Sequence, residues 1–371
     1  MQIIDQDWIQ PLHLGGVFLG SGGGGESKIL TFLLKELLAR KQVIHLIGLE
    51  ELEPEELYAA VAMMGSPELM EEHFPTGQEG INAIEQLEFL TGRRFKGLMT
   101  VEGAGVNILY PLLVASKIQL PLIDADAMGR AFPELQMTAF NFAQISGTPM
   151  AMIDGRGQSY DFFEKDNFLL ELKTRLVVSE GGGVGFFAGF PHKGSVLKRI
   201  LIPRTISFAA EIGRVFLNPG SYSKMLEDLI LVTKNSLYGS CIELFTGSIK
   251  ERGKVEALSW RAITIKGSGY YANEVFRILM QNENLIAYRQ NRVAAMVPDL
   301  ISIINLETLK PVNDYDLVPG MEVSVIGTPA PLLLKTKKNL NVVGPQCFGY
   351  KSGYEPLEKL YFSYYYNHSG A

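Results

Sequence analysis

Three short segments carry the residue types from which a small-molecule reaction could be built. Asp124-Ala-Asp126-Ala-Met-Gly-Arg130-Ala-Phe-Pro-Glu134 sets two carboxylates two residues apart, with a cation further along. At a strand end this spacing puts Asp124 and Asp126 on one face, where Arg130 could hold one of them ionised. Two acids and a cation suit activation of a water molecule or capture of a divalent ion. A structural Asp–Arg ion pair at a strand exit is the plainer alternative. Glu102-Gly-Ala-Gly-Val-Asn107 adds a proton acceptor and an amide able to donate and accept, around two glycines that open the backbone. Its plain reading is helix capping at Val106 with a solvated Glu102. The third segment is Leu19-Gly-Ser-Gly22-Gly23-Gly24-Gly25, whose glycines lack Cβ, tolerate positive φ and let backbone pass close to a ligand.

The glycine run admits several chemistries. A phosphate-cradling P-loop lacks its lysine and hydroxyl, since Glu26 follows Gly25. A dinucleotide fingerprint is satisfied by Gly20, Gly22 and Gly25, with Glu50 after the next strand where a ribose-binding carboxylate would sit. An amide nest at a helix N-terminus could hydrogen-bond the carbonyls or ring nitrogens of a small substrate. A tight turn is the plain alternative. His13, His45, His73, His192 and His368 form no metal-binding motif, and no GxSxG nucleophile elbow occurs. Gln281-Asn-Glu-Asn284 could supply polar groups from the second domain, with a polar β-turn as the plainer reading.

The elements that must position these groups alternate between β-like runs and amphipathic helices over the first 160 or so residues. Strands are predicted at Gly16–Leu19, Val43–Ile47, Tyr58–Met63, Gly97–Val101, Leu120–Asp124 and Pro149–Ile153. Helices are predicted at Ser27–Arg40, Gly77–Thr91 and Val106–Lys117. Apolar strands separated by helices form a mostly parallel sheet covered on both faces, with ligands at the carboxyl ends of the strands. That puts Gly20–Glu26, Glu102–Asn107 and Asp124–Glu134 on one rim. Beyond residue 165 the texture changes. Asn167–Ser179 reads as strand-like, Thr205–Phe216 and Ser223–Asn235 as helices, and Ala262–Ile265, Val293–Val297, Leu300–Ile304 and Glu322–Ile326 as short strands. The fold class expected is α/β: residues 1–165 form an α/β domain, and residues 166–371 a β-rich C-terminal domain with a helical segment near 205–236. The tyrosines from Tyr361 to Tyr366 form either an arm docking on this or another subunit or a frayed tail.

With 371 residues and 47% hydrophobic composition, the chain can bury a core in two domains. A net charge of −6 without a long basic run argues against nucleic acid or an acidic membrane as partner. Cys241 and Cys347 form no disulfide framework, and no apolar stretch reaches membrane-spanning length, so a cytoplasmic, unexported protein is expected.

The segments, taken in order with Met64-Gly-Ser-Pro67, Gln281 to Leu285, Val297-Pro-Asp-Leu-Ile301 and Gly344-Pro-Gln-Cys-Phe-Gly-Tyr350, resemble the S-methyl-thiohydantoin desulfurase-like family from about residue 10 to residue 358. The resemblance implies two domains, association with hydantoinase/oxoprolinase-type enzymes, and hydrolysis of an S-methylated thiohydantoin ring to hydantoin and methanethiol. The family usually has Asp or Asn with Pro after the glycines, where this chain has Glu26-Ser27, and the tyrosine-rich tail departs from it too. Displacing methanethiol from an amidine-like carbon needs a base for water, donors for charge on the ring and a proton for sulfur. Asp124 or Asp126 is expected as base with Arg130 biasing it, and Glu102 as acid or ring-nitrogen partner. Asn107, Glu134 and the Gly22–Gly25 amides are expected to hold the heterocycle. No redox cofactor is expected; a divalent metal on Glu102, Asp124 and Asp126 is a further option. A homo-oligomer is expected. The alternatives are a non-catalytic partner of a hydantoinase/oxoprolinase and a dinucleotide-binding protein.

Overall fold

The computed structural model describes residues 1–25, 27–40, 42–65, 74–254 and 260–366; Glu26, Ser66, Pro67, His73 and His368 lie outside them. By packing, the described chain divides into two compact units. Unit 1 holds residues 1–16 and 24–210, and unit 2 holds 17–23 and 211–371. Residues 166–210, expected with the C-terminal half, therefore pack in unit 1.

Unit 1 opens with β1 (Gln2–Ile4), α1 (Gln6–Gly20, whose last four residues belong to unit 2), α2 (Lys28–Ala39), β2 (Ile44–Ile47) and β3 (Leu57–Gly65). It continues through α3 (Gln78–Thr91), β4 (Gly97–Met99), α4 (Tyr110–Ile118), β5 (Leu122–Ile123) and β6 (Ala125–Asp126). β7 (Met150–Asp154), β8 (Ser159–Phe162), α5 (Asn167–Glu180), β9 (Val184–Lys193), β10 (Ile202–Pro203) and α6 (Thr205–Val215) complete it, α6 passing into unit 2 after Ala210. The sheet order is β1-β2-β5-β4-β3-β9-β7-β8. Its centre, β2-β5-β4-β3, is parallel as the alternating pattern requires, and antiparallel strands extend it on both sides. β3 runs Leu-Tyr-Ala-Ala-Val-Ala-Met-Met-Gly with its seven inner residues buried, the continuous apolar run of a strand covered on both faces. α2 buries Leu30, Thr31, Leu34 and Leu38, one stripe at helical spacing.

Two expected strands are helices. Gly16–Leu19 is the last turn of α1: Ile9, Leu12, Val17 and Phe18 are buried, and the apolar run too short to show its period is the end of that stripe. Gly15 serves this helix by contact, since a Cβ there would lie 1.8 Å from the Ala209 carbonyl oxygen of α6. Asn167–Ser179 is α5, capped by Asp166 accepting from the Phe168 and Leu169 amides. Its buried Asn167, Leu170, Glu171, Thr174 and Val178 follow a 3.6-residue period that outweighs the β-branched composition.

Unit 2 contains α7 (Tyr222–Lys234) and one antiparallel sheet. The strands are β11 (Ile242–Lys254), β12 (Arg261–Gly267), β13 (Val275–Met280), β14 (Asn284–Arg289), β15 (Arg292–Met296), β16 (Leu300–Asn305), β17 (Lys310–Val312) and β18 (Glu322–Thr328). Their order is β15-β14-β13-β12-β11-β18-β16-β17 around a core that includes Phe245, Ile263, Phe276, Ile278 and Val325. The tail forms α8 (Leu357–Tyr366), and Tyr364 docks on its own unit. Arg289 makes two bonds to the Glu274 carboxylate, at 2.5 and 2.6 Å, and lies under the Tyr364 ring at 4.0 Å, while the Tyr364 hydroxyl donates to Glu274. Arg289→Met is expected to lower unfolding stability by about 2 kcal/mol, because it strands a partly buried carboxylate and removes the cation from the tyrosine. An unchanged urea midpoint would count against this role for the tail.

Candidate functional site

Glu102–Asn107 and Asp124–Glu134 leave the carboxyl ends of the neighbouring parallel strands β4 and β5, as the α/β pattern requires. Thr100 shapes the first of them: its hydroxyl contacts the carbonyls of Glu102 and Asn107 at 2.7 and 2.6 Å. Gly103 then points its amide at the Asp126 carboxylate, 2.6 Å away, and the Gly129 amide reaches the same carboxylate at 3.0 and 3.1 Å. A Cβ at 103 would stand 2.9 Å from Asp126 Oδ2, so a larger residue there would displace the carboxylate. Asp126 is fully buried. Burial pushes its carboxyl up to about 7, against the pull of the Gly103, Gly129 and Met128 amides.

Asp124 faces the first turn of α6. Its carboxylate accepts from the Ser207 amide at 2.9 Å and from the Ser207 hydroxyl, and its carbonyl accepts from the Arg204 amide at 2.7 Å. Burial raises this carboxyl too, opposed first by Ser207 and then by the Arg204 cation. The cation beside Asp124 is thus Arg204, where the sequence pointed to Arg130. Buried Arg130 donates through Nε to the Ala131 carbonyl, and its guanidinium sits 5.2 Å from the Phe132 ring centre. β6 pairs with β10, so the chain leaving Asp126's partner Ile202 turns at Arg204, with φ of 61°, directly into α6.

The other expected site residues are placed as follows. Glu102 is buried beside Gly103. The Asn107 side chain pairs with both backbone groups of Met63 in β3, at 2.8 and 3.1 Å, and so fastens its loop to that strand. Glu134 is hydrogen-bonded by Gln136, and its carboxyl is raised by burial and by the charge of Glu171 on α5. Gly24 lies in unit 1 against Gly105, with its carbonyl accepting from the Val106 amide at 2.7 Å, and Gly25 follows at φ of 77°. Gly22 and Gly23 lie in unit 2, where a Cβ on either would come within 2.7 Å of Asn284 or Glu283 side-chain atoms. The run follows helix α1, so the strand–turn–helix context of a dinucleotide fingerprint is not found here. Among the described residues, no three His, Cys, Asp or Glu side chains cluster so as to hold a metal ion, Glu102, Asp124 and Asp126 included. The sequence assigns no site role to Arg204, Thr205 or Ser207; a helix start some 80 residues from the acids carries no local mark of its partner.

The Asp126 environment links pH to stability. The folded carboxyl keeps its proton up to about pH 7, whereas the ordinary value is 3.8. Between those values the folded state binds more protons, so stability falls as pH rises through this window, and this group causes no further change above it. Asp126→Asn is expected to flatten that part of the profile; an unchanged difference between urea midpoints at about pH 4 and about pH 8 would contradict it.

A family model described as S-Me-THD-like, N-terminal domain, matches residues 7–162, and one described as S-Me-THD-like, C-terminal domain, matches residues 165–357. A search of curated proteins finds no match. A crystal structure of a protein from Chromobacterium violaceum is similar in fold, with a TM-score of 0.80 at 22% identity over 96% of this chain and 100% of that one. Among the described residues no helix is long and apolar enough to cross a membrane.

Proposed function

From the premise that the chain belongs to the S-Me-THD-like family over both of its domains, we propose that it hydrolyses a small S-methylated thiohydantoin or related hydantoin-like ring and releases methanethiol. The observation that carries this reading is Asp126, a fully buried carboxyl among backbone amides whose pKa of about 7 suits it to take and return a proton near neutrality. In this reading Asp126 is the base that deprotonates water. Glu102, buried in the adjoining loop, is the acid or ring-nitrogen partner, and the Gly24–Gly25 backbone lies on the same side of unit 1 through the Gly24–Gly105 contact. Asp124 holds the first turn of α6 through Ser207 and so supports the wall beside Asp126.

The test is methanethiol release from a panel of S-methylated thiohydantoins, with and without a chelator, followed across pH. A base with this pKa gives a kcat/KM that rises towards about pH 7 and levels off above it. A folded protein that releases no thiol from any member of the panel, yet binds hydantoin or copurifies with a hydantoinase-type enzyme, would instead be a non-catalytic subunit.

A further inference from the structure

Thr205, the first residue of α6, is 1% exposed, and its hydroxyl oxygen has no hydrogen-bond partner among the described residues. Within helices, buried Thr174 and Thr233 bond back to the carbonyls four residues earlier, at 2.9 and 2.8 Å, whereas Thr328, on β18, shares the condition of Thr205. At the start of a helix that carbonyl is not available. Buried hydroxyls are almost always satisfied, by protein, water or ligand, because leaving one unpaired costs free energy.

The place where Thr205 stands gives its hydroxyl a use. A Cβ on Gly103 would lie 3.5 Å from Thr205 Cβ and 2.9 Å from Asp126 Oδ2, so the two side chains face the same side of Gly103 and stand close to each other. We propose that Thr205 Oγ1 and the Asp126 carboxyl together hold the oxygen that attacks the substrate, an inference resting on the hydrolytic reading above. The two groups are complementary. An ionised carboxylate only accepts, so the water donates one hydrogen to Asp126, while the hydroxyl of Thr205 donates to the water and fixes its orientation. The remaining lone pair is then directed at the ring carbon bearing sulfur. Asp126 takes a proton as the C–O bond forms. The C–S bond breaks with its electron pair on sulfur, and that proton leaves with methanethiol. The oxygen's other proton passes to the ring nitrogen, so C=N becomes C=O and N–H.

Thr205→Val keeps shape and removes only the hydroxyl; Thr205→Ser keeps the hydroxyl. The valine variant is expected to lose roughly 100-fold in kcat for methanethiol release with KM changed by less than about twofold, and the serine variant to stay within about fivefold of the original protein. A high-resolution crystal structure of the unmodified protein is expected to show an ordered water within hydrogen-bond distance of both Thr205 Oγ1 and an Asp126 oxygen. A valine variant of undiminished kcat, or a crystal structure without that water, overturns the proposal. Absence of thiol release from the unmodified protein overturns the hydrolytic reading instead, and the crystallographic result then still decides whether the two residues share one oxygen site.

Discussion

Asp126→Asn is expected to lower methanethiol release about a thousandfold, the scale of losing a positioned general base. The amide has the same shape but cannot take a proton from water near neutrality. Its nitrogen also has to face one of the two backbone N–H groups, of Gly103 or Gly129, that now point at carboxylate oxygens. That mismatch costs about 1–3 kcal/mol, partly offset because no charge has to be buried. Activity is therefore compared at a temperature where circular dichroism shows the variant fully folded. Release within tenfold of the original protein under those conditions would remove Asp126 from the base role. Asp124→Asn should be milder in its effect on the chemistry, since that carboxylate is occupied by the Ser207 amide and hydroxyl.

The largest effect on stability is expected at Gly105. Its φ of 53° already disfavours a side chain, and an added Cβ would stand 1.8 Å from the Gly24 carbonyl oxygen and 2.2 Å from its carbon. Those are backbone atoms that cannot swing aside as a side-chain tip can. To make room, Gly24 must move off the Val106 amide, losing the 2.7 Å hydrogen bond between the two loops. Strain, overpacking and the lost bond together put the cost of Gly105→Ala at about 4 kcal/mol. Gly157→Ala is the control: φ is 82°, but nothing lies within 4 Å of the added Cβ, so only about 1 kcal/mol of strain is expected. Equal shifts of the urea midpoint in the two variants would show that the close approach of Gly24 and Gly105 matters little.

The parts of the fold legible in the sequence are those whose period is local. α2 announces itself through leucines at helical spacing, and β3 through an unbroken apolar run. α1 did not, because Gly15 and Gly16 dilute its apolar stripe for the sake of contacts with Ala209 and Ile108 that no local pattern records. The β-branched and apolar texture of α5 concealed its helical period in the same way. At the site, the acids and the glycines around them were readable by type. The reason for each was not: a side chain at Gly103 would crowd the Asp126 carboxylate and one at Gly105 would collide with Gly24, pairs separated by 23 and 81 positions in the sequence. The pull of Arg204 on Asp124, in place of Arg130, is equally a product of the β6–β10 pairing.

The passage of residues 17–23 through unit 2 has a consequence for biosynthesis. The Ser21 hydroxyl donates to the Ile301 carbonyl at 3.1 Å and accepts from the Ile301 amide at 2.8 Å, across 280 residues. On a ribosome adding about 5–20 residues per second, Ser21 is made on the order of 15 to 60 seconds before its partner exists. Throughout that interval Ser21 lacks its Ile301 partner, although the local bonds from the Ser21 amide to the Phe18 carbonyl and from the Gly23 amide to the Gly20 carbonyl can form. Unit 2 therefore cannot be completed from residues 211–371 alone: one of its pieces is among the first to be translated.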